Sequence, residues 1–220
     1  MAFLIHFDKI FEAGLPVVSD GTTTLSVPAG TLTQTEGVFY GGAFLGAASQ
    51  FQATLPFTYG GDLTIEFRLK LSASATTQYV GIGNSVDGTP YVALEIAPTT
   101  LALSLVNNDD PAVDVSQSLV AQSYAAVALV ITGNVLTLFV DGVANTNTLS
   151  LSDGASPVEH LTFSLDNAVI DELRVSDSAL YTADYTVSTA PFAPADDSAN
   201  RVHQVRATGI NTTTADLADD

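Results

Sequence analysis

Hydrophobic and polar residues alternate with a period of two in short runs along most of the chain, and almost nowhere with the period of an α-helix. The cleanest run is Leu63-Thr64-Ile65-Glu66-Phe67-Arg68-Leu69-Lys70-Leu71. In an extended strand its odd positions enter a core, while Glu66, Arg68 and Lys70 are carried to solvent on the other face. Val92, Leu94 and Ile96 repeat the pattern, and Leu101, Leu103 and Leu105 follow the turn Ala97-Pro98-Thr99-Thr100, which predicts a hairpin. A second hairpin is predicted where the runs 127–131 and 135–140 flank Thr132-Gly133-Asn134, with Asp141-Gly142 making a further tight turn. Leu161, Phe163 and Leu165 mark another strand, and the run 168–175 the next. Weaker runs lie at 3–8, 15–18, 23–27, 37–44 and 50–55. The total is about a dozen strands spaced by roughly 8–12 residues, as in an all-β sandwich or barrel. Ser178-Ala179-Leu180-Tyr181 suits one helical turn, and no repeat of fixed period is present.

Composition narrows the class. With 46% hydrophobic residues in 220, the chain can bury the core of one β-rich domain. Its 24 acidic residues against 6 Lys and Arg give a formal charge of -18. Nucleic acid and anionic membranes are excluded as partners, because both require clustered basic residues. There is no cysteine, so disulfides and thiolate chemistry are excluded. The N-terminus lacks a basic stretch followed by an apolar one, so synthesis in the cytoplasm without a signal peptide is expected. After Pro194 the alternation fades. Residues 195–220 carry Asp196-Asp197, then Arg201, His203 and Arg206, then a closing Asp219-Asp220. The organisation predicted is a sandwich domain over 1–194 and an extended C-terminal arm over 195–220 that orders against a partner.

A more specific pattern closes the domain. Phe163-Ser164-Leu165-Asp166, then Ile170-Asp171-Glu172-Leu173-Arg174-Val175-Ser176, then Ala179-Leu180-Tyr181 and Ala190-Pro191-Phe192, resemble the final segment of concanavalin A-like, laminin-G-type jelly rolls. Phe39-Tyr40-Gly41-Gly42-Ala43-Phe44, the run 63–70 and Leu138-Phe139-Val140-Asp141-Gly142-Val143 resemble earlier segments of that family in the same order. The resemblance covers roughly residues 3–193, and its closing motif is similar to versions found in tailed-bacteriophage structural proteins. It implies a jelly-roll β-sandwich of two antiparallel sheets, and a structural role for Asp171 in tying a loop or strand end. The chain departs from the family at Arg68, where Trp is usual, and at Leu45-Gly46, where the family carries Asp.

Hydrolase members of the superfamily carry a Glu-x-Asp-x-x-Glu strand, and this chain has none. Glu66 and Glu95 each stand alone in their runs, and Asp171 and Glu172 are adjacent, which in a regular strand sends them to opposite faces. No catalytic residue and no cofactor are therefore predicted. Calcium is the metal that the acidic turns would suit, at Asn107-Asn108-Asp109-Asp110 with Asp114 or at Asn84-Ser85-Val86-Asp87-Gly88, although such residues also serve ordinary turns and no ligand set is assigned. His6, His160 and His203 are scattered. Asn211-Thr212-Thr213 is a glycosylation sequon without a secretory signal, and no nucleophile elbow or phosphate loop occurs. Tyr40, Tyr59, Tyr79 and Tyr181 could stack on sugar rings or serve the core.

Three functions remain. The expected one is a non-enzymatic virion structural protein, a capsid decoration protein on the outer head surface, contacting the major capsid protein and neighbouring copies of itself. Its grounds are a β pattern that starts near Met1 without a plug module, the absence of a catalytic set, the acidic body and the arm. The alternative is a glycan-binding receptor-recognition lectin on a phage tail or cell surface, with host-surface glycans as partners. The third is a glycan-cleaving enzyme.

Overall fold

The computed structural model describes residues 2–5, 24–39, 41–54, 61–74, 76–83, 92–107, 113–151 and 160–192. Their strands form two antiparallel sheets packed face to face. The first holds β1 (Ala2–Ile5), β3 (Leu32–Glu36), β4 (Gly41–Leu45), β6 (Leu63–Lys70), β11 (Tyr124–Thr132), β12 (Val135–Val140), β13 (Val143–Ala144), β14 (Leu149–Ser150) and β16 (Ala168–Ser176). Its order is β13-β12-β11-β6-β16-β4-β3, with β1 also paired to β16 and β14 to β12. The second holds β2 (Thr24–Ala29), β5 (Ser49–Thr54), β7 (Gln78–Gly83), β8 (Val92–Ile96), β9 (Ala102–Asn107), β10 (Val113–Ser118) and β15 (His160–Leu165), in the order β10-β9-β8-β7-β15-β5-β2.

The alternating positions meet between the sheets. Ile65, Phe67 and Leu69 of β6 and Leu129 of β11 face Phe51, Val80, Leu94 and Phe163 in one continuous cluster. Phe163 stands edge-on to Phe67, with ring centroids 5.1 Å apart, which locks the two sheets in register. Both predicted hairpins form, the first with Ile96 paired to Leu103 beyond the turn at 97–100, and so does the further tight turn. Thr132 pairs with Val135 across Gly133 and Asn134, at φ 51° and 66°, and Val140 pairs with Val143 across Asp141 and Gly142, at φ 51° and 81°. Two successive left-handed residues are what a two-residue turn needs to match strand twist.

The alternation misses β3 and β10, whose Leu-Thr-Gln-Thr-Glu and Val-Asp-Val-Ser-Gln-Ser sequences are mostly polar. Each ends a sheet among the described residues, where polar residues suit an edge position. Among the described residues there is no helix, hence none long and apolar enough to cross a membrane. The expected helical turn at 178–181 does not form. The side chain of Thr64 accepts the amide of Leu180 and donates to the carbonyl of Ser178, so β6 takes the groups that a helical turn would pair internally. The expected arm at 195–220, the run 15–18 and the turn 84–88 lie outside the described residues.

Candidate functional site

β6 also corrects the expectation that Glu66 and Arg68 face solvent. Thr64, Glu66 and Arg68 are 0, 3 and 6% exposed, nearly as buried as the apolar positions between them. The cause is the segment 177–192, which leaves β16 and returns as a strap over the outer face of the nine-stranded sheet. Small residues in β11 let it come close: Ala128 and Val130, with Phe139 of β12, form a second apolar cluster that receives Ala179, Tyr181 and Tyr185. The two tyrosine rings stack 3.6 Å apart at 5°, and both lean on Phe139. The amide of Tyr185 donates to the Gly142 carbonyl, and the amide of Ala144 to Asp184. Gly142 suits this approach, since a Cβ there would strike the Tyr185 carbonyl.

Charged side chains pin the strap from below. Arg174 of β16 forms an ion pair with Glu66, and the hydroxyl of Tyr181 donates to the other oxygen of Glu66 at 2.8 Å. Arg68 donates from Nη2 to the Ser188 carbonyl at 2.7 Å, with its guanidinium carbon 5.9 Å from the ring centroids of Phe39 and Phe192. Glu172 accepts the amide of Phe192. Burial and the adjacent Glu66 charge push the Tyr181 phenol well above its ordinary range, and burial with the same charge raises Tyr185 to about 12.

A β-bulge makes this arrangement. Asp171 lies opposite Arg68 and Arg174 opposite Glu66, so three steps along β16 span two along β6, and Glu172 takes φ 52° to absorb the extra residue. Ile170 and Leu173 therefore enter the core while Asp171, Glu172 and Arg174 all face the strap side. The expectation that Asp171 and Glu172 point to opposite faces is thus corrected. It assumed a regular strand.

Asp171 is 1% exposed and accepts the amides of Val38 and Glu172 at 2.7 and 2.8 Å, tying the loop before β4 to β16. Burial is the larger influence and pushes its carboxyl from 3.8 up to about 6, the Glu172 charge adding to it and the amides of Val38, Glu172 and Phe39 opposing. Between about pH 4 and 6 the folded chain holds a proton that the unfolded chain has released, so the Asp171 contribution to stability falls as pH rises through that window and is level above it. For Asp171→Asn, the stability of the variant minus that of the native protein is expected to rise over the same window and then level off. Urea unfolding at a series of pH values checks this, and a difference that stays flat contradicts it.

Between strap and sheet lies an open cavity of about 340 Å³, lined by Glu66, Arg68, Ala126, Arg174, Tyr181, Tyr185, Ser188, Pro191 and Phe192, among others. Arg68 Nε is buried and makes no hydrogen bond. Of the other expected site residues, Glu95 faces away from the core on the seven-stranded sheet, beside Tyr79 and Ser104 in register. Tyr79 is half-buried and takes a bond from Gln50, and His160 meets Thr54. Asn107 closes β9 and Asp114 pairs with Ser104 in β10, while 108–110, Tyr40, Tyr59, His6, His203 and 211–213 lie outside the described residues. Among the described residues no three His, Asp or Glu side chains gather as metal ligands would. Reading the sequence misses the strap cavity, and its one clue is Arg68 standing where the resembling family carries Trp.

No protein-family model and no curated protein matches the sequence. Solved structures share the fold. Trypanosoma rangeli sialidase is similar over 82% of this chain and 30% of its own, at 14% identity and TM-score 0.57. Domain 4 of an extracellular arabinanase from Geobacillus stearothermophilus, solved with arabinotriose, is similar over 72% of this chain and 84% of its own, at 15% identity and TM-score 0.53. The binding domain of botulinum neurotoxin DC, solved with SialylT, matches 96% of this chain and 51% of its own, at 10% identity and TM-score 0.57. The chain thus spans under a third of the sialidase and about half of the toxin domain. The shared feature is a β-sandwich occurring as one part of larger proteins that act on or bind glycans.

Proposed function

We propose that this chain is a glycan-binding β-sandwich module without catalytic activity, and that sugar enters the cavity beneath residues 177–192. The carrying observation is that cavity, which combines aromatic rings with buried polar side chains and an open mouth, the usual makeup of a small-ligand site. The company its fold keeps, in a sialidase, an arabinanase domain and a toxin binding domain, supports sugar as the ligand class. Turnover is disfavoured because the three carboxylates nearby are all engaged: Glu66 by Arg174 and Tyr181, Asp171 by two amides, and Glu172 by the Phe192 amide. The full chain on an array of neutral and acidic glycans is expected to give discrete signals that disappear in Ala126→Met, which fills the cavity floor. A silent array overturns the reading, and release of reducing ends from any polysaccharide overturns its non-catalytic part.

A second reading keeps the virion. Residues 195–220 carry Arg201, His203 and Arg206 in a chain of formal charge -18, a sequence pattern suited to linking copies on the outer capsid surface and to holding the major capsid protein by repeated weak contacts. Deleting 196–220 is expected to abolish attachment to heads while β-sheet circular dichroism is kept. Unchanged attachment removes this reading.

A further inference from the structure

We propose that the strap cavity takes carboxylated sugars in preference to neutral ones, with the carboxylate held by Arg174 in the field of Arg68; this rests on the glycan-binding reading above. The charged residues lining the cavity are Arg68, Arg174 and Glu66. Two positive charges thus meet one negative charge, and Glu66 is already committed to Arg174 and to the Tyr181 hydroxyl. Arg68 has no carboxylate of its own. It is 6% exposed, and its Nη2 rests on the Ser188 carbonyl, a neutral acceptor. Asp171 lies opposite Arg68 in the ladder, yet its two oxygens accept the amides of Val38 and Glu172, and no ion pair joins it to Arg68. A buried cation is normally paired, and an anion entering the cavity supplies the charge that the protein omits.

Arg174 presents the contact. Its Nε and Nη2 serve Glu66 and Tyr181, so Nη1, on a side chain 24% exposed, remains for a ligand oxygen. The guanidinium carbons of Arg68 and Arg174 stand 5.9 and 4.3 Å from the centroid of the same Phe192 ring. Burial and the Glu66 charge raise the Tyr185 phenol while Arg68 and Arg174 both oppose them, so the two positive charges are felt at one hydroxyl of the lining. A charge-assisted contact to a carboxylate is about twice as strong as one to a neutral hydroxyl. The rings of Tyr185, Phe192 and Pro191 offer apolar surface to the C–H face of the sugar that carries it. The formal charge of -18 opposes an anion from a distance, but at physiological salt charges farther than about 8 Å are largely screened, whereas the contact with arginine persists.

Paired probes test this by nuclear magnetic resonance of the isotope-labelled full chain at about 0.15 M salt. Trigalacturonic acid is set against its methyl ester, and sialyllactose against lactose, each to about 10 mM, beyond the weak end of ordinary affinities. At least one acid is expected to shift the Arg174 Nε–Hε signal and to bind at least about tenfold tighter than its neutral counterpart, a gap of about 1.4 kcal/mol. Arg174→Gln combined with Glu66→Gln removes the ion pair as a unit, leaves no buried carboxylate unpaired, and is expected to abolish that preference. Ala126→Met keeps every charged group, fills the cavity floor, and is expected to abolish binding of all four probes. Equal or tighter binding of both neutral probes overturns the inference, as does a preference retained in either variant, or the absence of binding by both acids. Binding of neutral sugars alone leaves the glycan reading standing, whereas a silent array removes both.

Discussion

Glu66→Ala is expected to lower the unfolding free energy by about 3 kcal/mol and to free residues 177–192 from the sheet. The substitution leaves Arg174, 24% exposed, without its carboxylate, and leaves the Tyr181 hydroxyl without its acceptor. Removing one partner of a buried pair is costly because the other remains desolvated, whereas an exposed pair contributes at most about 1 kcal/mol. Glu66→Gln keeps an acceptor for Tyr181 and is expected to lose less. Two readouts separate strap release from general weakening. Proteolysis should cut within 177–192 in the variant before global unfolding. The Tyr181 phenol, held high by burial and by the Glu66 charge, should titrate nearer its ordinary range by ultraviolet absorbance. A variant with native stability and an unshifted phenol contradicts the account, and a double change with Arg174→Ala should cost less than the sum of the two single ones.

Phe163→Ala is expected to cost about 4 kcal/mol by a different route. Phe163 is fully buried between the sheets, edge-on to Phe67 at 5.1 Å and 6.0 Å from Phe51, so its removal opens a cavity that two rigid sheets cannot close. Because these contacts are on the opposite side of the first sheet from the strap, the Tyr181 phenol should keep its native titration in the folded variant. Denaturant unfolding measures the loss. A cost under about 1 kcal/mol would mean that the two sheets do not depend on this contact.

How legible the molecule is from its sequence differs between its two surfaces. Leu63, Ile65, Phe67 and Leu69 announce a strand and its inward face, because burial against a second sheet selects apolar residues at every other position. Gly133-Asn134 and Asp141-Gly142 announce their turns, because few residues tolerate two left-handed positions in succession. The outer face reads wrongly for the same reason. Glu66 and Arg68 look like solvent positions because local alternation registers polarity, not what crosses above, and the strap that covers them comes from residues more than a hundred positions later. The bulge at Glu172 is equally hidden, since Asp-Glu-Leu-Arg fits a regular strand until the register with β6 is known.

The sequence by itself determined the sandwich: alternation supplied the core-facing residues of two antiparallel sheets, and turn chemistry placed the hairpins. Only the tertiary structure decided the site. It turned Asp171, Glu172 and Arg174 to one face through a single extra residue, set Glu66 and Arg68 beneath the returning strap, and opened a cavity between strap and sheet. The physical reason is one of range. Strand formation and turns depend on neighbours within a few residues, whereas the burial of a charge and the partner it finds depend on which distant segment arrives to exclude water.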